Sequence, residues 1–213
     1  MEAPHSPAPD GVAATPAAPA AAVTPVAPVP SGSPGSPGSP EGSVTLTVTI
    51  GSPERMTELG LRLAALLRPG DLVMLTGELG AGKTTLTRGL GEGLGVRGAV
   101  TSPTFVIARV HPSLTGGPAL VHVDAYRLGG GLDEMEDLDL DVSLPDSVVV
   151  VEWGDGKVEE LSDDRLHVVI DRVVGGAGPV PAAEDDDRRT VTLTGIGARW
   201  ADADLASLAA PTA

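Results

Sequence analysis

The sequence predicts an α/β fold of three layers around a mostly parallel, mixed central sheet. Three observations carry that expectation. Runs of β-branched residues alternate with stretches of helical periodicity, the pattern of strands joined by crossover helices. One run, 72–75, is apolar throughout, as a strand covered on both faces must be. A glycine-rich segment follows that run at once and leads into a helical stretch, the place where such sheets hold phosphate.

The elements follow in order. Val44-Thr45-Leu46-Thr47-Val48-Thr49-Ile50 alternates strictly and predicts a strand with one buried face. Ser52 is an N-cap residue with proline at the first helical position after it, and Leu59, Leu63, Leu66 and Leu67 recur at helical spacing until Pro69-Gly70 ends the helix. Further strands are expected at 105–110, 119–124 and 148–152, and late ones at 166–170 and 190–194. A loop rich in Gly, Pro and Asp, 175–189, separates the last two. Residues 201–213 could form a short frayed helix or nothing ordered.

In a chain of 213 residues this amounts to one domain with tails. Residues 1–43 hold 32 Ala, Pro, Ser or Gly and no Lys or Arg, too little side chain to offset the entropy of ordering, and are expected to be a disordered tail. Prolines interrupt the stretch throughout, so it does not read as a secretory signal. The domain is expected over 44–195 and a C-terminal tail over 196–213. No run approaches the roughly 20 apolar residues of a membrane span.

Composition narrows the chemistry. There is no cysteine, which removes disulfides, thiolate metal sites and thiol nucleophiles. Only Phe105, Tyr126, Trp153 and Trp200 are aromatic, so the core must be aliphatic. A net charge of −15 argues against unaided nucleic-acid binding through a basic face and fits a soluble, cytoplasmic protein.

The segment Gly77-Glu78-Leu79-Gly80-Ala81-Gly82-Lys83-Thr84 matches the pattern G-x-x-x-x-G-K-[ST] in full, in a chain with only two lysines. The domain is therefore expected to be P-loop NTPase-like. Glycines let successive N–H groups turn inward, and the helix starting near Lys83 aims the positive end of its dipole at the same anion. Residues 78–85 are the candidate nucleotide-binding residues: Glu78, Leu79, Gly80, Ala81, Gly82, Lys83, Thr84 and Thr85. Lys83 would neutralise the β and γ oxygens of the nucleotide, and the Thr84 hydroxyl would be a Mg2+ ligand.

Hydrolysis also requires a carboxylate near the metal and a group that holds water. Asp124 and Glu152 each close an expected strand and could reach the metal from neighbouring strands. Thr101-Ser102-Pro103-Thr104-Phe105 places hydroxyls about a rigid proline and reads as a switch element, or else as an ordinary turn. Phe105, Tyr126 and Trp153 fall in these same segments, which suggests rings packed around the site. His122, in an apolar strand, is expected to be a hydrogen-bonded core residue, with catalysis as the alternative. The run 132–141 holds six carboxylates in ten residues. Leu132, Met135 and Leu138 share a helical face, so the expectation is an exposed amphipathic helix, and the alternative is a docking surface for a basic partner.

The ordered set Gly77 to Thr85, Ser102-Pro103-Thr104-Phe105, His122-Val123-Asp124-Ala125-Tyr126-Arg127-Leu128 and Val151-Glu152-Trp153 resembles the TsaE family of bacterial tRNA threonylcarbamoyladenosine biosynthesis ATPases, over residues 44–172. That resemblance implies a small P-loop ATPase acting with TsaD and TsaB partners in modifying adenosine 37 of certain tRNAs, with tRNA met only through the complex. It implies that Lys83 and the loop amides bind phosphate, that Thr84 and Glu152 hold Mg2+, and that Asp124 orients water or completes the metal's outer shell. Trp153 would lie beside the nucleotide and Arg127 would support a partner-facing or switch region. Lys83, Asp124 and Glu152 are thus the expected catalytic set. Two other readings stay open on the residues alone: a small-molecule kinase using the same cradle, and a nucleotide-sensing scaffold that turns over little ATP. No Asn-Lys-x-Asp element for reading guanine is present.

Overall fold

The computed structural model describes residues 43–127, 138–172 and 188–209. The expected N-terminal tail therefore lies outside the described residues, as do most of the acidic run and most of the 175–189 loop.

Seven strands form one sheet in the order β1-β7-β6-β2-β5-β4-β3. They are β1 Val44–Ile50, β2 Leu72–Thr76, β3 Ala108–His111, β4 Ala119–Asp124, β5 Ser147–Glu152, β6 Arg165–Arg172 and β7 Arg189–Ile196. β6, β2, β5 and β4 run parallel, while β7 and β3 are antiparallel to their neighbours. The sheet is thus mixed and mostly parallel.

One face of the sheet is covered by α1, Pro53–Ala64, and α2, Lys83–Gly93. α1 begins as its sequence requires: Ser52 accepts a hydrogen bond from the Arg55 amide at 3.3 Å, Pro53 takes the first helical position, and Met56, Leu59 and Leu63 turn inward. The helix stops at Ala64, before Leu66 and Leu67. The opposite face is covered among the described residues by short pieces, chiefly α3, Leu140–Ser143, and a single turn ending at Leu161. Leu140 and Val158 close a second cluster there with Leu72, Met74, Val149 and Val151. β2 is buried along its apolar length, which is why its sequence shows no alternation.

Two expectations are corrected. The strand expected over 105–110 starts at Ala108. Phe105 and Val106 lie in a turn closed by the Val106 and Ile107 amides on the Pro103 carbonyl, at 2.8 and 2.7 Å, with Ile107 at a φ of 66°. The proline holds the turn where hydrophobicity alone suggested extension. The packed structure also extends past residue 195. Trp200 is fully buried in the main cluster, and Leu205 and Leu208 join it from a 3-10 turn, Leu205–Ala209. Arg199, in the four-residue helix α4, Ala198–Ala201, fastens this segment: its Nε and Nη2 donate to the two oxygens of Asp71 at 2.9 and 2.8 Å, and Nη2 donates to the Leu66 carbonyl. No helix among the described residues is long and apolar enough to cross a membrane.

α2 contains glycines at 89, 91 and 93, each costing roughly 1 kcal/mol of helix propensity relative to alanine. Close approach to α1 explains two of them. A Cβ on Gly89 would stand 2.0 Å from the Thr57 carbonyl oxygen and one on Gly93 2.5 Å from the Ala64 Cβ, while on α1 a Cβ at Gly60 would meet the Leu86 carbonyl oxygen at 2.2 Å. Backbone opposes backbone at Gly89, so no side chain can yield. Gly89→Ala is therefore expected to destabilise the domain by about 1–3 kcal/mol, the usual range for overpacking, although alanine is the better helix former. Urea unfolding checks it, and a stabilised variant would show that the two helices can move apart.

Candidate functional site

β2 delivers the chain to the sheet's edge at Thr76, and the loop 77–82 turns it into α2. Gly77, Gly80 and Gly82 all have positive φ, at 155°, 78° and 114°. Gly82 is the N-cap in the left-handed region, and no side chain caps the helix. The first amides of α2 therefore face the cleft without the partner a Ser or Asp would have given them. This is an anion-binding arrangement by construction.

Lys83 folds back across the loop. Its Nζ donates to the carbonyls of Gly77 at 2.7 Å and Glu78 at 3.0 Å, and lies 4.0 Å from the Trp153 ring centroid. Burial pushes this ammonium below the ordinary lysine pKa, and the charges of Glu152 and Asp124 pull it part of the way back.

The two carboxylates arrive on adjacent strands. Asp124 and Glu152 are register partners at the ends of β4 and β5, and both are buried, with 4% and 3% exposure. Glu152 accepts at Oε1 from the Thr84 hydroxyl at 2.9 Å and from His122 Nε2 at 2.9 Å. Asp124 accepts at Oδ2 from the Thr104 hydroxyl and, at 3.4 Å, from Ser102, while Oδ1 takes the Tyr126 amide at 3.0 Å. The segment 101–105 is thus moored to Asp124 by the Ser102 and Thr104 hydroxyls, which themselves lie 2.6 Å apart.

These residues line one cleft of about 270 Å³, where Lys83, Thr84, Thr85, Ser102, Thr104, Asp124, Glu152 and Trp153 meet Leu79, Gly80 and Gly82. Other sequence candidates stand elsewhere. Glu78 contributes its carbonyl to Lys83, and Ala81 is buried behind the loop, lining a smaller recess of about 120 Å³ with Met56 and Arg189. Leu79 does line the cleft, but at its rim, 87% exposed. Of the three rings, Trp153 lines the cleft and Tyr126 packs on it at 5.3 Å, but Phe105 is 84% exposed and meets the guanidinium of Arg127 at 4.9 Å. His122 is buried as expected, yet it bonds the site carboxylate. The signal was its spacing, since residues two apart on a strand share a face and Asp124 is the next on that face.

No three His, Asp or Glu among the described residues cluster as a metal site by themselves. The cleft's donors are hydroxyl and carboxylate oxygens, the hard set that suits Mg2+. Two acids against one ammonium leave it short of positive charge.

The family model for the threonylcarbamoyl adenosine biosynthesis protein TsaE matches residues 50–175, more than half of the chain. The chain belongs to the TsaE family. The match spans every side chain of the cleft. The TsaE named as a tRNA threonylcarbamoyladenosine biosynthesis protein in Streptomyces coelicolor is 75% identical over 154 residues, covering 72% of this chain and 99% of that protein. Its Bacillus subtilis counterpart is 41% identical over 70% of this chain and 85% of its own. The crystal structure of YdiB from Bacillus subtilis aligns with a TM-score of 0.55 at 35% identity, over 74% of this chain and 90% of that one. The likeness to YdiB supports the α/β fold with its mixed, mostly parallel sheet.

Removing the Thr104 hydroxyl tests the mooring of 101–105. A hydrogen bond to a charged group contributes about 1.5–3 kcal/mol. In Thr104→Val, amide exchange at Val106 and Ile107 should therefore speed up about tenfold or more, and unchanged exchange would mean that the Pro103 turn holds unaided.

Proposed function

We propose that this chain is the ATP-binding and hydrolysing subunit required for threonylcarbamoyl modification of adenosine 37 in tRNA, working in the cytoplasm with TsaD-like and TsaB-like proteins. The observation that carries the reading is the uncapped start of α2 facing Glu152, which the Thr84 hydroxyl already holds at 2.9 Å. Family membership supports the pathway, and the site chemistry supports the nucleotide.

In this reading the amides of 78–85 and the Lys83 ammonium take the β and γ phosphates. Lys83 leaves the Gly77 and Glu78 carbonyls for phosphate oxygens, which satisfy an ammonium better than neutral carbonyls do. Thr84 and Glu152 would hold Mg2+, which would supply positive charge to offset that of the phosphates. Asp124, fixed by three donors, orients the attacking water or a water of the metal's shell. Trp153 closes the wall beside Lys83. tRNA is met through the assembly, in keeping with the net charge of −15.

No arginine lines the cleft among the described residues. Hydrolysis by the isolated chain should accordingly be weak, because an arginine finger accounts for about 10³–10⁵ in rate where one operates. Phosphate release should rise on adding TsaD-like and TsaB-like proteins. Turnover of many per second by the chain alone would overturn the partner dependence, and release that required a small hydroxylated acceptor would replace the reading with a kinase.

Two substitutions test the site. Lys83→Ala should abolish ATP binding in calorimetry, and unchanged binding would remove the basis of the reading. Glu152→Ala should spare binding more than hydrolysis, whereas equal loss of both would reduce Glu152 to a structural role.

A further inference from the structure

We propose that His122 is a positioning residue that steadies Glu152 from within the sheet, so that this carboxylate meets Thr84 and the divalent cation in a set orientation. The inference rests on the nucleotide reading above and adds to it a residue outside the expected catalytic and metal-binding set.

The strand register places the ring. Leu120, His122 and Asp124 share one face of β4, and Val148, Val150 and Glu152 share the matching face of β5. His122 is level with Val150 and Asp124 with Glu152, so the imidazole lies one pleat deeper than the acids and reaches Glu152 on the diagonal. The residues around it on this face, Leu120, Val148 and Val150, belong to the aliphatic core. His122 is 0% exposed, and its Nδ1 has no hydrogen-bond partner. A buried polar atom left unpaired costs about 1–3 kcal/mol, so as a mere core filler an aliphatic side chain would serve better here.

What the ring gains is one bond, from Nε2 to Glu152 Oε1 at 2.9 Å. An ionised carboxylate only accepts, which puts the proton on Nε2. The terminal torsion of a glutamate is otherwise broad. Two donors reaching Oε1 from different directions, Thr84 from the cleft and His122 from the core, remove that freedom. Thr84 cannot do this alone, because its hydroxyl orientation must answer to the cation once one is bound. Asp124 has a loop to hold it, with three donors, whereas on the core side Glu152 has His122. Outer partners of this kind typically set metal affinity by about 10- to 100-fold.

The test compares the wild type with His122→Leu, His122→Gln and His122→Asn. Calorimetry measures affinity for a non-hydrolysable ATP analogue across a Mg2+ titration and again in EDTA, and thermal melting reports folding. His122→Leu should weaken the Mg2+-dependent affinity about 10- to 100-fold and leave affinity in EDTA unchanged. Gln, whose amide reaches the Nε2 position, should recover most of the loss, and the shorter Asn should not. Wild-type Mg2+ dependence in His122→Leu overturns the proposal, as does equal loss in both arms tracking the melting temperature. If the Leu variant does not fold, Gln against Asn decides, and equal Mg2+ dependence in those two overturns it. A wild type whose binding gains nothing from Mg2+ would instead bring down the underlying nucleotide reading, and this inference with it.

Discussion

The cleft depends on the register of three parallel strands. Glu152 is level with Asp124 on one side and with Leu75 on the other, so the carboxylates and the start of the glycine loop reach the same edge of the sheet together. A slip of one residue in β5 would turn Glu152 to the opposite face, away from Thr84 and His122. Four consecutive valines cannot prevent such a slip by their own identity, since each fits either buried face. The ends of the strand supply the missing signal. Gly70 donates to the Ser147 carbonyl at 2.9 Å, the Val149 amide to the Asp71 carbonyl at 3.0 Å and the Trp153 amide to the Leu75 carbonyl at 3.1 Å, pinning β5 to β2 from below and above.

Placing two acids at that edge has an electrostatic consequence. Buried carboxylates need donors, and a lone ammonium cannot serve both. The fold divides the work by chemistry: hydroxyls and an amide hold Asp124, a hydroxyl and an imidazole hold Glu152, and Lys83 binds neither, resting on loop carbonyls and the Trp153 ring. Lys83 acts on the acids through space alone, and burial lowers its pKa despite them. At this ammonium, then, burial outweighs the attraction of the two acids.

Much of this arrangement was legible in the residues. The loop, its helix and the acids at the strand ends follow from local pattern, because glycine spacing, an N-terminal lysine and an apolar run carry their meaning within ten residues. What was not legible depends on distant partners. Nothing local to Ala198-Arg199-Trp200-Ala201 reveals that Arg199 finds Asp71, or that Trp200 fills the core beneath β7. The start of β3 was misplaced because Phe105 and Val106 look like strand residues, while the turn is decided by carbonyl bonding at Pro103. His122 looked like core and is core. Its spacing put it on the face of Asp124, but that it bonds Glu152 follows from the pairing of β4 with β5.

Trp153 shows how backbone geometry completes the cleft. In an extended strand, neighbouring side chains point to opposite faces, so a tryptophan following Glu152 would stand on the far side of the sheet from Lys83. Here it has a φ of 62°, in the left-handed region, where a bulky side chain costs roughly 1–2 kcal/mol. That turn ends the pleat at the point where Glu152 has been delivered, and it allows both residues to line the same cleft. The ring then lies within 4.0 Å of the Lys83 ammonium and packs against Tyr126. A glycine at 153 would relax the backbone and leave the ammonium without its aromatic face, so the strain persists because the wall of the site depends on it.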